Sequence, residues 1–136
     1  MANYKIEDVE GVGEVLGKKF RDAGVKDTDS LLKMSKSPSQ RKELAEKTGI
    51  AEKQVLKFAN LVDLYRIGGI GSEYSELLEV AGVDTVPDLA RRNAANLAKH
   101  LVEVNENKKL TRRVPTESEV ARWIEEAKKL PRVLEY

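Results

Sequence analysis

The chain has no cysteine, and its 136 residues include only one tryptophan, two phenylalanines and four prolines. Without cysteine it can form no disulfide framework, no thiolate zinc site, no cysteine-ligated iron–sulfur cluster and no cysteine nucleophile. No stretch approaches the roughly 20 apolar residues that span a bilayer. The first residues also lack the apolar segment of a secretory signal. These absences predict a soluble, cytoplasmic protein that has no membrane partner.

An excess of charge of one sign is also lacking. The 24 Lys and Arg residues nearly balance the 23 Asp and Glu residues, which leaves a formal net charge of +1. Such a balance argues against a chain that coats nucleic acid over its whole surface, although it permits a local basic patch. The length fits one domain or two small ones, and the 40% of hydrophobic residues is enough to fill a core.

Catalytic and metal-binding chemistry is poorly supported. His100 is the only histidine, and without a second histidine or a cysteine a zinc site would need mostly carboxylates. It has no identifiable nucleophile as a partner either, so we expect it on an exposed or half-buried helix face. The glycines before Lys18 miss the P-loop spacing, and Lys19 stands where magnesium needs Ser or Thr. We predict no catalytic residue, no metal, no cofactor and no enzymatic activity.

The hydrophobic pattern predicts an all-α fold. No run of four or more residues alternates apolar and polar with the β-branched residues of a strand. Helices are expected over residues 14–23, 28–35, 39–47, 52–66, 72–81, 86–92, 94–104 and 117–129. Three of them are preceded by residues that favour the first position of a helix, namely Asp27 or Thr28, Ser37, and Thr116 with Glu119 as a capping box.

The sequence also compares well with itself. A shift of 58 residues lays positions 9–32 over 67–90 with six identities in 24 positions. These identities fall on glycines and on small or apolar residues, which fix backbone shape, whereas charges differ freely. We therefore predict two tandem pseudo-repeats, 1–66 and 67–136. The later parts align more weakly at a shift of 65, and residues 103–113 are expected to form a longer loop in the second unit.

The segment 52–66 carries eight apolar residues within eleven positions. A helix that is apolar nearly all round is buried on more than one side. We expect this helix to close the first unit and open the second, which predicts one fused helical body.

A five-residue motif recurs in both units, at 9–13 and 67–71. It consists of an apolar residue, any residue, a glycine, a second apolar residue and a second glycine. Glycine tolerates positive φ and lets backbones approach closely, so Gly11, Gly13, Gly69 and Gly71 predict tight bends between helices. The central Val12 or Ile70 would fill the gap between them. Backbone N–H groups would then point outward at the start of the next helix, an arrangement suited to a phosphate.

With these bends the chain resembles the helix-hairpin-helix family in its paired form. A third hairpin is expected at 48–51, around Gly49 and Ile50, and a degenerate fourth at 114–116. The segment from Gly11 to Ile50 is similar to the small N-terminal helix-hairpin-helix domain of RecA-like recombinases. The whole chain is similar to a bacterial and archaeal group of short, duplicated helix-hairpin-helix proteins defined as a domain of unknown function. The resemblance implies binding of DNA without sequence preference, with hairpin amides on phosphates.

The resemblance also implies where the cations should lie. Binding hairpins of the family place Lys or Arg two residues after the second glycine, and here only Lys53 fits, since Val15, Glu73 and Ser118 take the other three positions. Carboxylates beside the first two hairpins, Glu14, Glu73 and Glu76, would repel a phosphate. The best candidate site is therefore the third hairpin, and the next best is the basic loop 108–113. The cations concerned are Lys47, Lys53 and Lys57 at the hairpin, and Lys108, Lys109, Arg112 and Arg113 in the loop.

Two functions remain open at this point. The first is a nucleic-acid-binding module, with DNA as the expected partner. The second is a protein-interaction or assembly module in which the bends only turn the chain, as the near-neutral charge and the acidic hairpins suggest. The sequence leaves the oligomeric state undefined.

Overall fold

The computed structural model describes residues 3–136, and over this range the chain is helical. A short 3-10 helix, Ile6–Asp8, precedes eight α-helices, and the only pairing of extended backbone in this range is an isolated bridge between Lys5 and Asp27. The all-α prediction is confirmed. No helix within residues 3–136 combines the length and apolar character that crossing a bilayer requires. The helices are α1 Gly13–Asp22, α2 Thr28–Met34, α3 Pro38–Thr48, α4 Glu52–Leu64, α5 Ser72–Val80, α6 Val86–Ala90, α7 Ala94–Lys108 and α8 Glu117–Lys129.

The predicted capping residues begin three of these helices. The Asp27 carboxylate accepts a hydrogen bond from the Ser30 amide at 2.8 Å, so Asp27 and not Thr28 caps α2. Ser37 caps α3 and Thr116 caps α8, and each belongs to a reciprocal capping box. These side chains satisfy amides that have no partner within their own helix.

The prediction of a long loop over residues 103–113 is wrong. Helix α7 continues to Lys108, four residues beyond the predicted helix end at 104, and the Lys109 amide still donates to the Asn105 carbonyl at 2.8 Å. The helix ends where Lys109 adopts the left-handed conformation, with φ of 52°. The shorter loop that follows is ordered by Asn105, whose side chain bonds both the amide and the carbonyl of residue 111, at 3.0 and 3.1 Å.

Two hydrophobic clusters fill the interior, and α4 contributes to both. Leu61 and Val62 belong to the first cluster, which forms around Phe20 and Phe58, whereas Leu64 belongs to the second, around Trp123. Helix α4 packs against α2, α3 and α5. The prediction that this helix is buried on more than one side is confirmed, and it lies where the two halves of the chain meet.

Asp63 makes a polar connection at this junction. Its carboxylate is buried, and it accepts hydrogen bonds at 2.9 Å from both Arg66 Nη1 and the Val86 amide at the start of α6. Helix α6 has no side-chain cap of its own, so a carboxylate from α4 serves in its place. A buried charge is tolerated because it is paired and hydrogen-bonded.

The last residues of the chain return to the first half. Leu134 is buried in the first cluster, and the Glu135 amide donates to the Lys36 carbonyl at 2.7 Å. Arg41, itself buried, donates to the Glu135 carbonyl at 2.5 Å. The Tyr136 ring lies 5.6 Å from the guanidinium carbons of Arg41 and Arg132, within the range of cation–π attraction. The C-terminal segment therefore ties the second half of the chain to the first.

Candidate functional site

The first two glycine bends have the same backbone twist at their first glycine. The φ angle is 88° at Gly11 and 90° at Gly69, in the left-handed region that favours glycine. Both glycines are exposed, while the apolar residues that follow, Val12 and Ile70, are 4% and 1% exposed. The bends thus lie on the surface with one apolar side chain directed inward.

The second glycine of each bend differs. Gly13 has a φ of 64° with open space around it, whereas Gly71 has a φ of −116° that any residue adopts. Helices α1 and α5 begin at these glycines without a side-chain cap. The amides of their first turns therefore have no side-chain acceptor.

The second bend lies against α8. The Gly68 amide donates to Glu126 Oε1 at 3.1 Å, and Arg122 Nη1 donates to the Gly68 carbonyl at 3.3 Å. A Cβ atom at Gly69 would lie 3.0 Å from Arg122 Nη2 and 3.4 Å from the buried Trp123 Nε1. Part of this bend is thus already bound by side chains of its own chain.

Carboxylates gather where the first two bends meet. Ser72 Oγ at the start of α5 donates to Glu10 Oε2 at 3.4 Å, which brings the first bend to the second. Partial burial, and then the nearby Glu10, raise the pKa of Glu76. Since this junction holds two carboxylates that disfavour each other's charge, it opposes the approach of a phosphate.

The third bend has a different surrounding. Gly49 is exposed with φ of 75°, and Ile50 behind it is 3% exposed. The Gly49 and Ile50 amides are already bound, to the Ala45 carbonyl at 2.9 Å and to Thr48 Oγ1 at 3.1 Å. Helix α4 then begins after Ala51 with no side-chain cap. The Gln54 amide already donates to the Ala51 carbonyl at 3.0 Å, which leaves the Glu52 and Lys53 amides open.

Cations surround this open helix start. Residues 33–57 carry seven Lys and Arg residues against three glutamates. Arg41 is buried against the C-terminal segment, and Lys47 Nζ lies 3.0 Å from Glu43 on the same helix. The six exposed lysines of this stretch, here called the lysine segment, are Lys33, Lys36, Lys42, Lys47, Lys53 and Lys57.

The fourth bend is closed by its own side chains. Thr116 Oγ1 accepts from the Glu119 amide at 3.2 Å, and Glu119 Oε1 accepts from the Thr116 amide at 3.1 Å. Arg113 binds both oxygens of Glu119, at 2.6 and 2.9 Å. These Arg113 hydrogen bonds are the main cause of the lowered pKa of Glu119, about 2. The start of α8 therefore already has an acceptor, and one of the four predicted loop cations is engaged.

The two predicted cationic groups remain separate. Lys53 and Lys57 line a concavity of α4 together with Asn60 and Glu79. At the end of α7 and in the loop that follows, Lys108, Lys109 and Arg112 are exposed, and Arg113 faces Glu119. The 108–113 cations lie where α7 leads toward α8, in the second half of the chain, whereas the lysine segment lies on and between α2, α3 and α4, in the first half. The predicted cations thus belong to two separate sets of helices, one in each half of the chain.

Sequence reasoning missed a cleft of about 460 Å³ between α4, α6 and the C-terminal segment. Its walls come from three distant parts of the chain, and no local pattern brings them together. Burial, and then the neighbouring Asp88, raise the pKa of Asp84 in this cleft. The polar and charged lining residues are Asn60, Asp63, Asp84, Thr85, Asp88, Arg91, Arg132 and Tyr136.

Comparison with known proteins shows a match to one protein family. A family model described as "Domain of unknown function (DUF4332)" matches residues 10–130. No curated protein and no solved structure matches the chain. The matched range includes all eight α-helices, three complete bends and all but the first residue of the bend at 9–13.

Proposed function

We propose that this chain, which belongs to the family of the domain of unknown function DUF4332, is a non-enzymatic helix-hairpin-helix module that binds nucleic acid, DNA foremost, without reading its sequence. One observation carries the proposal: the uncapped start of α4 is exposed at a glycine bend and lies beside exposed lysines.

A phosphate would be held by main chain and side chains together. The amides of Glu52 and Lys53 lie in the first turn of α4, where the helix dipole attracts an anion by about 0.3–1 kcal/mol at an exposed site. Lys53 and Lys57 are one turn apart on α4 and add charge on one face of the helix. Such contacts go to phosphates, which every sequence carries, so they position the ligand without reading bases.

The remaining predicted residues have secondary parts in this proposal. The bends with Gly11, Gly13, Gly69 and Gly71 turn the backbone and stay beside Glu10 and Glu76, which keep phosphates away. The loop that carries Lys108, Lys109 and Arg112 gives a second, weaker contact on the other half of the chain. Arg113 contributes little, since Glu119 already neutralises it.

A salt titration tests the proposal. Affinity for a labelled duplex, followed by fluorescence anisotropy, should fall with salt with a log–log slope of about −0.9 for each phosphate that is neutralised. Replacing both α4 lysines, Lys53→Gln with Lys57→Gln, should make that slope shallower by about 1.8. When the salt rises from about 50 to about 200 mM, the factor by which affinity falls should then be roughly tenfold smaller for the variant than for the wild type.

A matched pair of substitutions provides the control. Lys128→Gln with Lys129→Gln removes the same charge from an exposed end of α8, and it should leave the slope unchanged. If the wild type does not bind the duplex at low salt, the proposal is wrong. If both double variants weaken binding equally, the contact is diffuse and the α4 site is wrong.

A second function, protein interaction, is favoured by one observation. Val15 on the first turn of α1 is 72% exposed and lies beside the exposed Glu14, which suits a protein partner better than a phosphate. Val15→Lys should weaken self-association or partner capture in sizing experiments if that function holds. Unchanged, monomeric elution of both forms, with no captured partner, would count against it.

A further inference from the structure

A second concavity, of about 320 Å³, lies at the turn between α6 and α7. None of the residues proposed above to bind nucleic acid lines it. Its wall contains no carboxylate, in contrast to the 460 Å³ cleft next to it. The lining residues are Arg91, Arg92, Asn93, Asn96, Leu97 and His100.

One face of α7 forms a side of this concavity. Asn93, Asn96, Leu97 and His100 follow the i, i+3, i+4, i+7 spacing of residues that share a helix face. The Asn93 side-chain oxygen caps α7 by accepting from the Asn96 amide at 3.0 Å. Its NH₂ group remains a donor, and Asn96 presents another amide that is exposed. The face thus offers hydrogen-bond donors over an apolar base.

Two arginines, Arg91 and Arg92, complete the lining of the concavity. Arg92 is held in place, because its Nη2 donates to the Gly82 carbonyl at 2.7 Å and lies 3.4 Å from the Asp88 carboxylate. The Arg91 guanidinium lies 3.5 Å from the same carboxylate, and its side chain is 78% exposed. One carboxylate therefore compensates two guanidinium groups, and Arg91 keeps most of its donors for a ligand.

Other charges around the concavity are few. Glu103 Oε2 lies 3.9 Å from Nδ1 of the lining residue His100, and both side chains are about half exposed. Asp84, behind Asp88, uses its amide to donate to Asp88 at 3.1 Å. The ligand-facing surface is therefore cationic and donor-rich, which suits an anion with several acceptor oxygens.

We infer that this concavity binds the phosphate group of a nucleotide unit, either within a polynucleotide or as a free nucleotide. Planar guanidinium groups bind phosphate through two parallel hydrogen bonds, and Arg91 is free to do so while the fixed Arg92 adds charge. The side-chain amides of Asn93 and Asn96 donate to the remaining oxygens. The site is separate from α4, so it adds a ligand contact that the proposed function does not include.

The location links this site to the α4 surface. Arg91 also lines the 460 Å³ cleft, where Leu56 and Asn60 of α4 form the other wall. Leu56 in turn lines a concavity with Lys53 and Lys57. Asp63, Asp84 and Asp88 line the cleft between these two surfaces, so a polynucleotide held at α4 would reach Arg91 along the rim of the cleft and not through it.

Two experimental arms separate the two sources of phosphate. The first arm rests on the proposed function. Arg91→Gln should make the salt slope for a labelled duplex shallower by about 0.9. When the salt rises from about 50 to about 200 mM, the factor by which affinity falls should then be about three- to fourfold smaller than for the wild type. Asn96→Asp, which adds a carboxylate, should weaken binding further. Lys129→Gln, an exposed cation on α8, should change nothing. Thermal melts must show that each variant is folded.

The second arm uses adenosine monophosphate and needs no nucleic-acid binding. Amide resonances of residues 93–97 should shift with the nucleotide in the wild type and not in Arg91→Gln. If the duplex binds and depends on Lys53 and Lys57, while Arg91→Gln changes neither the salt slope nor the nucleotide-induced shifts, the inference is overturned and the proposed function survives. If the duplex does not bind but the nucleotide shifts these amides, the proposed function fails and the site takes free nucleotides. Silence in both arms for the wild type overturns both.

Discussion

The bends before α4 and before α8 occupy corresponding places in the two predicted repeats, and they treat the start of the following helix in opposite ways. Before α4, Ala51 offers no side-chain acceptor and lysines lie nearby. Before α8, Thr116 and Glu119 form a capping box, and Arg113 binds the same glutamate. One helix start is left open and the other is satisfied internally.

This difference teaches that the bend alone does not make an anion site. A glycine or proline turn can bring helix amides to the surface, but those amides are available only when no neighbouring side chain accepts from them. Carboxylates near a helix start weaken an anion site, because they interact with the dipole themselves. Helix α4 also has one such carboxylate, Glu52 in its first turn, but there Lys53 and Lys57 on the same helix outnumber it. The first two bends, beside Glu10 and Glu76, have no lysine in the first turn of the helix that follows and resemble the closed bend in this respect.

The largest expected effect is on stability, and it compares the bend before α4 with the second bend, which packs against α8. Gly49 and Gly69 both have positive φ, so replacement by alanine should cost about 1–2 kcal/mol of unfolding free energy at each. At Gly69 the new methyl group would also meet Trp123 Nε1 at 3.4 Å, and crowding there should add about 1 kcal/mol. Urea unfolding of Gly49→Ala and Gly69→Ala measures both. Equal losses of unfolding free energy at the two positions would show that the side chains of α8 move aside at little cost.

A smaller effect comes from exchanging the caps. Ala51→Thr with Gln54→Glu would build at α4 the box that α8 has, while Thr116→Ala removes the cap of α8. The first change should stabilise the protein by about 1 kcal/mol and the second should destabilise it by about as much. The added cap should also lower the affinity for a duplex, whereas Thr116→Ala should not. An added cap that raised affinity or left it unchanged would contradict the contrast between the two bends.

The helices could be predicted from the sequence because their signals are local. Capping residues mark the starts of three helices, at Asp27, Ser37 and Thr116, and the apolar spacing of α4 predicts that it is buried on more than one side. Both signals depend only on residues close by in the sequence. The end of α7 was missed because residues 105–108 are all polar and show no apolar spacing, while the bonds from the Asn105 side chain to residue 111 depend on side-chain orientation. The open state of α4 and the engagement of Arg113 by Glu119 depend on side-chain orientation, which residue types alone do not specify.

The C-terminal segment shows the same limit at longer range. Its attachment to Arg41, and the link from Asp63 to Val86, join residues between 23 and 94 positions apart. No periodicity or motif indicates such pairs, so neither could be predicted. The cleft next to them and the concavity beside Arg91 could not be predicted for the same reason.

The smallest expected effect is on acid stability, and it compares the Arg–Glu pairs of the two halves. Arg21 lowers the pKa of Glu7, and Arg113 that of Glu119, each from 4.5 to about 2. A lowered pKa in the folded state stabilises the protein above pH 4.5, and this contribution is lost as the pH falls toward 2. Glu7→Gln and Glu119→Gln should each flatten the loss of stability over this interval in urea titrations. Variants that lose stability as steeply as the wild type would show that neither pair matters.

Amide chemical shifts measured during titration with a short DNA duplex test the central claim most directly. The account predicts shifts at Glu52 and Lys53, in the first turn of α4, with little change at Glu117 and Ser118, in the first turn of α8. Shifts at α8 without shifts at α4, or no shifts at either helix start, would contradict it.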